Sequence, residues 1–265
     1  MAALTFTLIQ IDLVWEDKKK NLATLAQKIA DLHKGSNVIV LPEMFSTGFT
    51  MNAEAFAETM DGPTMLWMTD MAKKSGSAIL GSFIAREAGV FYNRLVWMLP
   101  DGHFGYYDKR HLFAYAGEDK YYTAGSKRLI TSANGWKLNL QICYDLRFPV
   151  WARQQVQSNT PNTPEYDVLV YVANWPERRS LAWKTLLCAR AIENQCYVIG
   201  VNRVGQDGKG IYHSGNSMVI DPLGQVLYHC ADIEEIFTIT LNKNDLLTTR
   251  EKFPFWKDAD HFSIF

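Results

Sequence analysis

Residues 138–149 read LNLQICYDLRFP, a β-rich segment that runs through a cysteine into a turn. Just upstream, the dipeptide Asn134-Gly135 is the strongest short signal for a hairpin loop, so two paired strands are predicted around it. Pro149 suits the first turn of a helix, where a missing backbone N–H costs nothing. We therefore expect Cys143 at the carboxyl end of a strand, where α/β sheets place their functional residues.

Strands and helices are mixed on both sides of this hairpin. Helices are predicted where apolar residues recur at helical spacing, and strands where the sequence alternates or forms short apolar runs. The predicted strands lie at 4–11, 37–43, 77–85, 90–100, 103–109, 166–175, 196–205, 216–230 and 236–242, with the two strands of the hairpin within 128–144, and the predicted helices lie at 17–35, 62–76, 178–195 and 241–253. With no internal repeat and one clear surface loop at 157–166, this order predicts an α/β fold whose sheets are covered by helices, in one domain over residues 1–265.

The composition excludes several classes of function. The chain has 27 basic and 28 acidic residues, so we expect no general attraction to nucleic acid or to an anionic membrane. No apolar run approaches the roughly 20 residues of a membrane helix, and the N-terminus lacks a basic segment before its apolar part. The four cysteines form no Cys-x-x-Cys pair and the six histidines are scattered, which favours a cytoplasmic protein without a metal or other cofactor.

Three polar residues share the position at the end of a predicted strand. Glu43, Lys109 and Cys143 each follow such a strand, and only the fold could bring them together. Together they would support nucleophilic catalysis: a thiolate attacks, a carboxylate carries its proton, and a cation stabilises an oxyanion. The backbone N–H of Tyr144 would be a second oxyanion donor.

Each of these residues also has an ordinary structural interpretation. A cysteine after a strand often serves as a small buried apolar side chain, and single glutamates or lysines after strands are commonly solvated. A thiol with its usual pKa of about 8.5 is mostly unreactive at neutral pH, and no histidine lies near Cys143 in the sequence. The residues alone therefore give a thiol hydrolase only as a hypothesis.

The motifs around these residues resemble those of the nitrilase (carbon–nitrogen hydrolase) superfamily, over nearly the whole chain. The similar segments are VIVLPEMFSTGF around Glu43, YYDKRHLF around Lys109, LQICYDLRFPVWAR around Cys143, the long segment 171–205 and the late hairpin NSMVIDPLGQVL. The resemblance implies a four-layer α-β-β-α sandwich with Glu43, Lys109 and Cys143 as catalytic residues. It also implies a homodimer, for which the aromatic tail, about 252–265, is a candidate interface segment.

The resemblance further implies a second glutamate after the lysine, which AGEDKYYTAG places at Glu118; Glu177 is a weaker candidate. The residues after Cys143, and the tail KFPFWKDADHFSIF, are similar to the bacterial omega-amidases rather than to true nitrilases. Such enzymes release ammonia from the terminal amide of 2-oxo dicarboxylic acid monoamides such as 2-oxoglutaramate and 2-oxosuccinamate. The alternatives are an N-carbamoyl amino acid amidohydrolase, a nitrilase and, more distantly, a non-catalytic binding module.

A small-molecule substrate with a carboxylate would need a cation in the pocket. The candidates are Arg147, Arg178, Arg179 and Arg203, among which the sequence does not choose. Arg147 could equally be the structural partner of Asp145. Trp175, at the end of a predicted strand, is expected to line the pocket, with Phe45 and Tyr115 as further wall residues.

Overall fold

The hairpin predicted around Asn134-Gly135 is present. In the computed structural model, which describes residues 3–32, 35–155, 163–260 and 262–264, strands β6 (Leu129–Ala133) and β7 (Trp136–Ile142) pair in antiparallel register across this dipeptide. Both loop residues have positive φ, 48° for Asn134 and 78° for Gly135. Asparagine and glycine tolerate that conformation best, which explains the strength of the sequence signal.

The remaining elements follow the predicted order. The strands are β1 (Ala3–Gln10), β2 (Val38–Val40), β3 (Ala78–Glu87), β4 (Val90–Met98), β5 (Phe104–Asp108), β6, β7, β8 (Val168–Ala173), β9 (Tyr197–Asn202), β10 (Val204–Gln206), β11 (Tyr212–Ile220), β12 (Val226–Ala231) and β13 (Glu235–Asn242). The helices are α1 (Lys18–Ala30), α2 (Ala53–Phe56), α3 (Pro63–Ser75), α4 (Pro149–Ala152), α5 (Ser180–Asn194) and α6 (Lys243–Lys252). Residues 157–162 of the predicted surface loop lie outside the described residues.

The strands form two mixed sheets, each with a parallel centre. The first has the order β13-β1-β2-β3-β4-β5, and the second has the order β10-β11-β9-β8-β7-β6 with β12 paired to β11. Strands β1, β2 and β3 are parallel to one another, as are β7, β8 and β9. The short apolar run of β2 is buried along its whole length, as expected for a strand covered on both faces.

The two sheets lie face to face between layers of helices. One core joins the inward faces of both sheets and extends to α5, while a second core lies between the first sheet and helices α1 and α3. Helix α5 contacts β9 and β11, and α3 contacts β3 and β4. The predicted four-layer α-β-β-α sandwich is therefore confirmed.

One local prediction was wrong. The strand predicted over 196–205 is split into β9 and β10, because the Asn202 side chain bonds the backbone of Arg203 and Arg203 turns inward to Asp12. The helix predicted to begin near Pro149 is confirmed as the single helical turn α4, which follows a short 3-10 turn, Cys143–Arg147. Among the described residues, no helix has the length and apolar character needed to cross a bilayer.

Candidate active site

The carboxyl ends of strands from both sheets meet at one place. Lys109 directly follows β5, Cys143 directly follows β7, and Glu43 lies three residues beyond β2. The Lys109 ammonium lies 2.8 Å from Glu43 Oε1. The structure thus brings together three residues that are 34 to 100 positions apart in the sequence (143 − 109 = 34; 143 − 43 = 100).

Lys109 lies between two buried carboxylates. Its Nζ donates to Glu43 and also to Glu118, at 3.1 and 3.0 Å from the two oxygens of Glu118. Burial alone would lower the pKa of Lys109, but the charges of Glu118 and Glu43 outweigh it, so this pKa lies above its ordinary value. The side chain of Lys109 is 1% exposed, and it remains a cation at any working pH.

Glu118 is held by the turn that carries it. Its Oε2 accepts a hydrogen bond of 2.6 Å from the backbone N–H of Phe113, and its Oε1 accepts one of 3.2 Å from Asn93. Burial raises the pKa of Glu118, against the attraction of Lys109. Asn93 thus donates to both carboxylates that contact Lys109, and Glu118 helps to fix the position of the ammonium.

Glu43 is held by two asparagines that the sequence analysis did not single out. Asn93 donates to Glu43 Oε1 at 2.8 Å, and the backbone N–H of Asn174 donates to Glu43 Oε2 at 2.8 Å. The Asn174 side chain also donates to the carbonyl of Glu43. Asn174 follows β8 at a strand end, so the rule that found Cys143 could have found it; Asn93 lies within β4 and carries no such signal.

Cys143 occupies a backbone conformation that few side chains adopt. Its φ is +44°, in the left-handed region, at the start of the 3-10 turn that follows β7. Such a residue costs on the order of 1–3 kcal/mol and persists only where its surroundings fix it. The conformation presents the side chain at the sheet edge, with 9% of the residue exposed.

The thiol of Cys143 lies beside Glu43 rather than beside a histidine. The neighbours that shift its pKa are Glu43, Lys109 and the backbone of Asn174. Burial and the charge of Glu43 raise the pKa of Cys143 well above its ordinary value, and Lys109 opposes this shift. The resting cysteine is therefore a thiol, with a carboxylate placed to accept its proton.

A cavity of about 220 Å³ opens above these groups. Glu43, Lys109, Cys143 and Asn174 form its polar end. Its walls are Phe49, Phe113, Tyr115, Ala116, Tyr144, Arg147, Trp175, Pro176, Arg178, Arg179, Asp207, Lys209, Ile211 and His213. The volume is below the 300–1,000 Å³ typical of sites for drug-sized ligands, which indicates a small molecule.

Most of the predicted wall residues line this cavity, but Phe45 and Arg203 do not. Phe45 is fully buried in the core between the first sheet and its helices, where its ring lies 5.5 Å from that of Trp67. Arg203 is fully buried and is bound to Asp12 at 2.5 Å. Both expectations were wrong, because the strand-end rule does not tell which way a side chain turns.

Arg147, by contrast, faces the cavity and is not the partner of Asp145. Its guanidinium lies 5.0 Å from the ring centre of Trp175. Tyr115 is 80% exposed at the mouth of the cavity. Glu177 does not line the cavity; among the described residues its carboxylate accepts a hydrogen bond from Ser214.

One wall of the cavity was not anticipated. It is the hairpin formed by β10 and β11, which supplies Asp207, Lys209, Ile211 and His213. This hairpin packs tightly against the loop after β1, since a Cβ on Gly208 would lie 2.3 Å from Trp15. Burial, together with the charge of Arg203, lowers the pKa of His213 to about 4, so the His213 side chain is neutral near pH 7.

Within the described part of the chain, no group of three or more His, Cys, Asp or Glu side chains could hold a metal ion. The polar end of the cavity instead offers a buried cation, a carboxylate and a thiol. These groups suit a nucleophilic attack on an electrophilic carbon whose developing oxyanion needs a positive charge.

Comparisons with known proteins agree with this description. The family model for carbon-nitrogen hydrolases matches residues 5–251, and the chain belongs to this family. The chain is 44% identical over its full length, and over the full length of the relative, to the omega-amidase YafV of Escherichia coli K12. It is 33% identical to the 2-oxoglutaramate amidase of Bacillus subtilis, with 96% of each chain covered.

A solved structure is similarly close. XC1258 of Xanthomonas campestris, described as a CN-hydrolase superfamily protein with an arsenic adduct in the active site, is 42% identical and superposes with a TM-score of 0.97 over 100% of each chain. These similarities identify the chain as a hydrolase that acts on amide carbon–nitrogen bonds.

Proposed function

We propose that the protein is an omega-amidase, which hydrolyses the terminal amide of a 2-oxo dicarboxylic acid monoamide such as 2-oxoglutaramate or 2-oxosuccinamate. The names of the two relatives described above support this substrate class. We further propose that it works in the cytoplasm, where its four free cysteines would stay reduced.

The observation that carries the proposal is the unbalanced positive charge of the cavity wall. Arg147, Arg178 and Arg179 line the cavity, and in the described part of the chain none of them forms an ion pair. Burial, and then repulsion from Arg178, lowers the pKa of Arg179. Guanidinium groups that have no carboxylate partner favour the binding of an anionic ligand.

The wall also fixes the geometry of these cations. Arg147 lies over Trp175 and Arg179 lies over Phe113, each at 5.0 Å from the ring centre. Stacking on an aromatic face holds a guanidinium in place while its edge stays free for a carboxylate. An acid group bound there would direct the other end of a short molecule towards Cys143.

One acidic residue, Asp207, lines the cavity together with the three arginines. Asp207 Oδ1 accepts hydrogen bonds from the backbone N–H groups of Lys209 and Ile211, at 2.8 and 2.9 Å. It therefore closes the turn of its own hairpin. Lys209 adds a further cation to the lining of the cavity.

In the proposed reaction, Cys143 attacks the amide carbon as Glu43 accepts its proton. Lys109 and the backbone N–H of Tyr144 stabilise the oxyanion of the tetrahedral intermediate. Glu43 then returns the proton to the departing nitrogen, and ammonia leaves. A water molecule, deprotonated by Glu43, hydrolyses the thioester and releases the acid and the free thiol.

In this scheme Glu118 acts through Lys109. Its carboxylate holds the ammonium at 3.0 Å. Two carboxylates around one lysine also keep Lys109 protonated, so that Glu43 and not Lys109 is the proton carrier.

The first test is ammonia release from a panel of omega-amides, N-carbamoyl amino acids and nitriles. We expect the highest kcat/KM for 2-oxo acid monoamides, and no turnover by Cys143→Ala. The proposed substrate would be contradicted if the omega-amides are not hydrolysed but the N-carbamoyl amino acids are, with release of carbon dioxide. Hydrolysis of nitriles but not of omega-amides would contradict it as well. Full activity of Cys143→Ala would contradict the mechanism, and absence of any turnover would favour a binding module.

The second test concerns the cations of the wall. Replacing Arg147 or Arg179 with Met, which keeps the length and apolar contacts of the side chain, should raise KM for the acidic omega-amide about ten- to a hundredfold, because a charged hydrogen bond is lost. A neutral amide of similar size should be affected much less. Equal effects on the acidic and the neutral substrate would show that these arginines do not bind the carboxylate.

We also propose that the protein is a homodimer. The outward face of α5 exposes Leu181 and Ile192, at 76% and 55%, and such apolar side chains are often covered in an assembly. Of the aromatic tail, Trp256 is buried against its own chain, Phe255 is 65% exposed, and Phe265 lies outside the described residues. The tail therefore offers only part of its apolar surface to a partner.

Sedimentation equilibrium tests this proposal. The wild type should sediment with twice the mass of one chain, and the double variant Leu181→Glu/Ile192→Glu should sediment as a monomer. Leu66→Glu provides the matched control, since Leu66 is 64% exposed on α3 in the opposite helical layer. A monomeric wild type would contradict the proposal.

A further inference from the structure

Asp145 has no role in the chemistry described so far, yet it is fully buried two residues after Cys143. Its carboxylate accepts four hydrogen bonds. The donors are the backbone N–H of Ile142 (3.0 Å), the hydroxyl of Tyr107 (2.8 Å), and the backbone N–H (3.0 Å) and Nδ1 (2.8 Å) of His111. Among the described residues, this carboxylate is stabilised by these donors, His111 included, and not by an arginine or a lysine.

Asp145 forms a hydrogen bond with the turn that carries Cys143. The N–H of Ile142, the residue immediately before Cys143, donates to Asp145 Oδ2. This bond closes the turn across Cys143, whose φ of +44° is unfavourable for a side chain that is not glycine. Asp145 therefore contributes to holding the strained conformation that presents the thiol.

Asp145 also forms hydrogen bonds with the segment that carries Lys109. Tyr107 and His111 lie two residues before and two residues after Lys109, and both donate to Asp145. The hydroxyl of Tyr107 in turn accepts hydrogen bonds from the backbone of Arg110 (3.1 Å) and from Trp151 Nε1 (3.0 Å), so its own proton points to Asp145.

The imidazole of His111 is fixed as well. It stacks on Phe148 with 3.7 Å between ring centres and 4° between ring planes. Phe148 itself donates its backbone N–H to the carbonyl of Asp145 at 3.0 Å. The two segments are thus joined by side chains that have little freedom to move.

We propose that Asp145 is a positioning residue whose carboxylate ties the turn of Cys143 to the segment of Lys109, and so sets the distance between the thiol and the ammonium. The proposal rests on the proposed function only in taking Cys143 and Lys109 as the reacting pair. It assigns no contact between Asp145 and the substrate.

The variant Asp145→Asn tests the link with almost no change of shape. Every partner of Asp145 is a donor, and each carboxylate oxygen faces a backbone N–H, that of His111 at Oδ1 and that of Ile142 at Oδ2. Whichever way the new amide is turned, its NH2 group faces two donors, one of them a backbone N–H, and at least one hydrogen bond is lost.

Asp167→Asn is the matched control. Asp167 is also a buried carboxylate, bound to Lys243 at 2.7 Å and to Arg250 at 3.1 Å, but it precedes β8 at the end opposite to Asn174. Both variants should lower the free energy of unfolding, because each disturbs buried charged hydrogen bonds. Only Asp145→Asn should change the reactivity of Cys143.

Two readouts separate positioning from stability, both measured on folded protein. In Asp145→Asn, kcat for the amide should fall about a hundredfold, the effect of misplacing reacting groups by about an ångström, while KM changes less than threefold. Alkylation of Cys143 by iodoacetamide, followed by mass spectrometry of its peptide, should also change in rate. Tyr107→Phe, which removes one of the four donors, should show a smaller effect of the same kind.

The proposal is overturned if Asp145→Asn and Asp167→Asn change kcat and the alkylation of Cys143 alike. If Asp145→Asn does not fold, Tyr107→Phe decides: unchanged kcat and unchanged alkylation in that variant overturn the proposal. Alkylation needs no substrate, so it tests the link even if the omega-amide proves to be the wrong substrate.

Discussion

The structure of the site depends on one ammonium group held between two buried carboxylates. Lys109 is 1% exposed, and its ammonium forms ion pairs with Glu43 at 2.8 Å and with Glu118 at 3.0 Å. Removing Lys109 would leave two buried carboxylates without a counter-charge, and breaking a buried ion pair in this way typically costs about 3–5 kcal/mol. The cluster is therefore expected to behave as a single unit that depends on the lysine.

This unit also explains how a cysteine works without a histidine. The nearby negative charge of Glu43, added to burial, keeps Cys143 protonated, and the same carboxylate is the acceptor for its proton. The sulfur then becomes a nucleophile only as the proton leaves, next to a lysine that is already charged. Hydrogen bonds from Asn93 and Asn174 to Glu43 hold the carboxylate in the required place.

The sequence predicted the framework of the site better than its walls. The hairpin at Asn134-Gly135 and the strand ends before Lys109 and Cys143 were predictable, because turn chemistry and apolar runs are local properties. The directions in which the side chains of Phe45 and Arg203 point were not predictable, because they depend on contacts with distant residues, Trp67 and Asp12. The hairpin wall with His213 was missed for the same reason, because its position follows from contacts between Gly208 and Trp15.

The most direct test of the account is the pH dependence of Cys143 alkylation by iodoacetamide, measured on its own peptide so that the partly exposed Cys188 and Cys230 do not contribute. In the wild type, the rate should reach its half-maximum above the usual thiol pKa of about 8.5. In Glu43→Gln this midpoint should move to lower pH, because a charge that raises the pKa of Cys143 is gone while Lys109 remains, and amide hydrolysis should be lost. A midpoint that is unchanged or higher in Glu43→Gln would contradict the account.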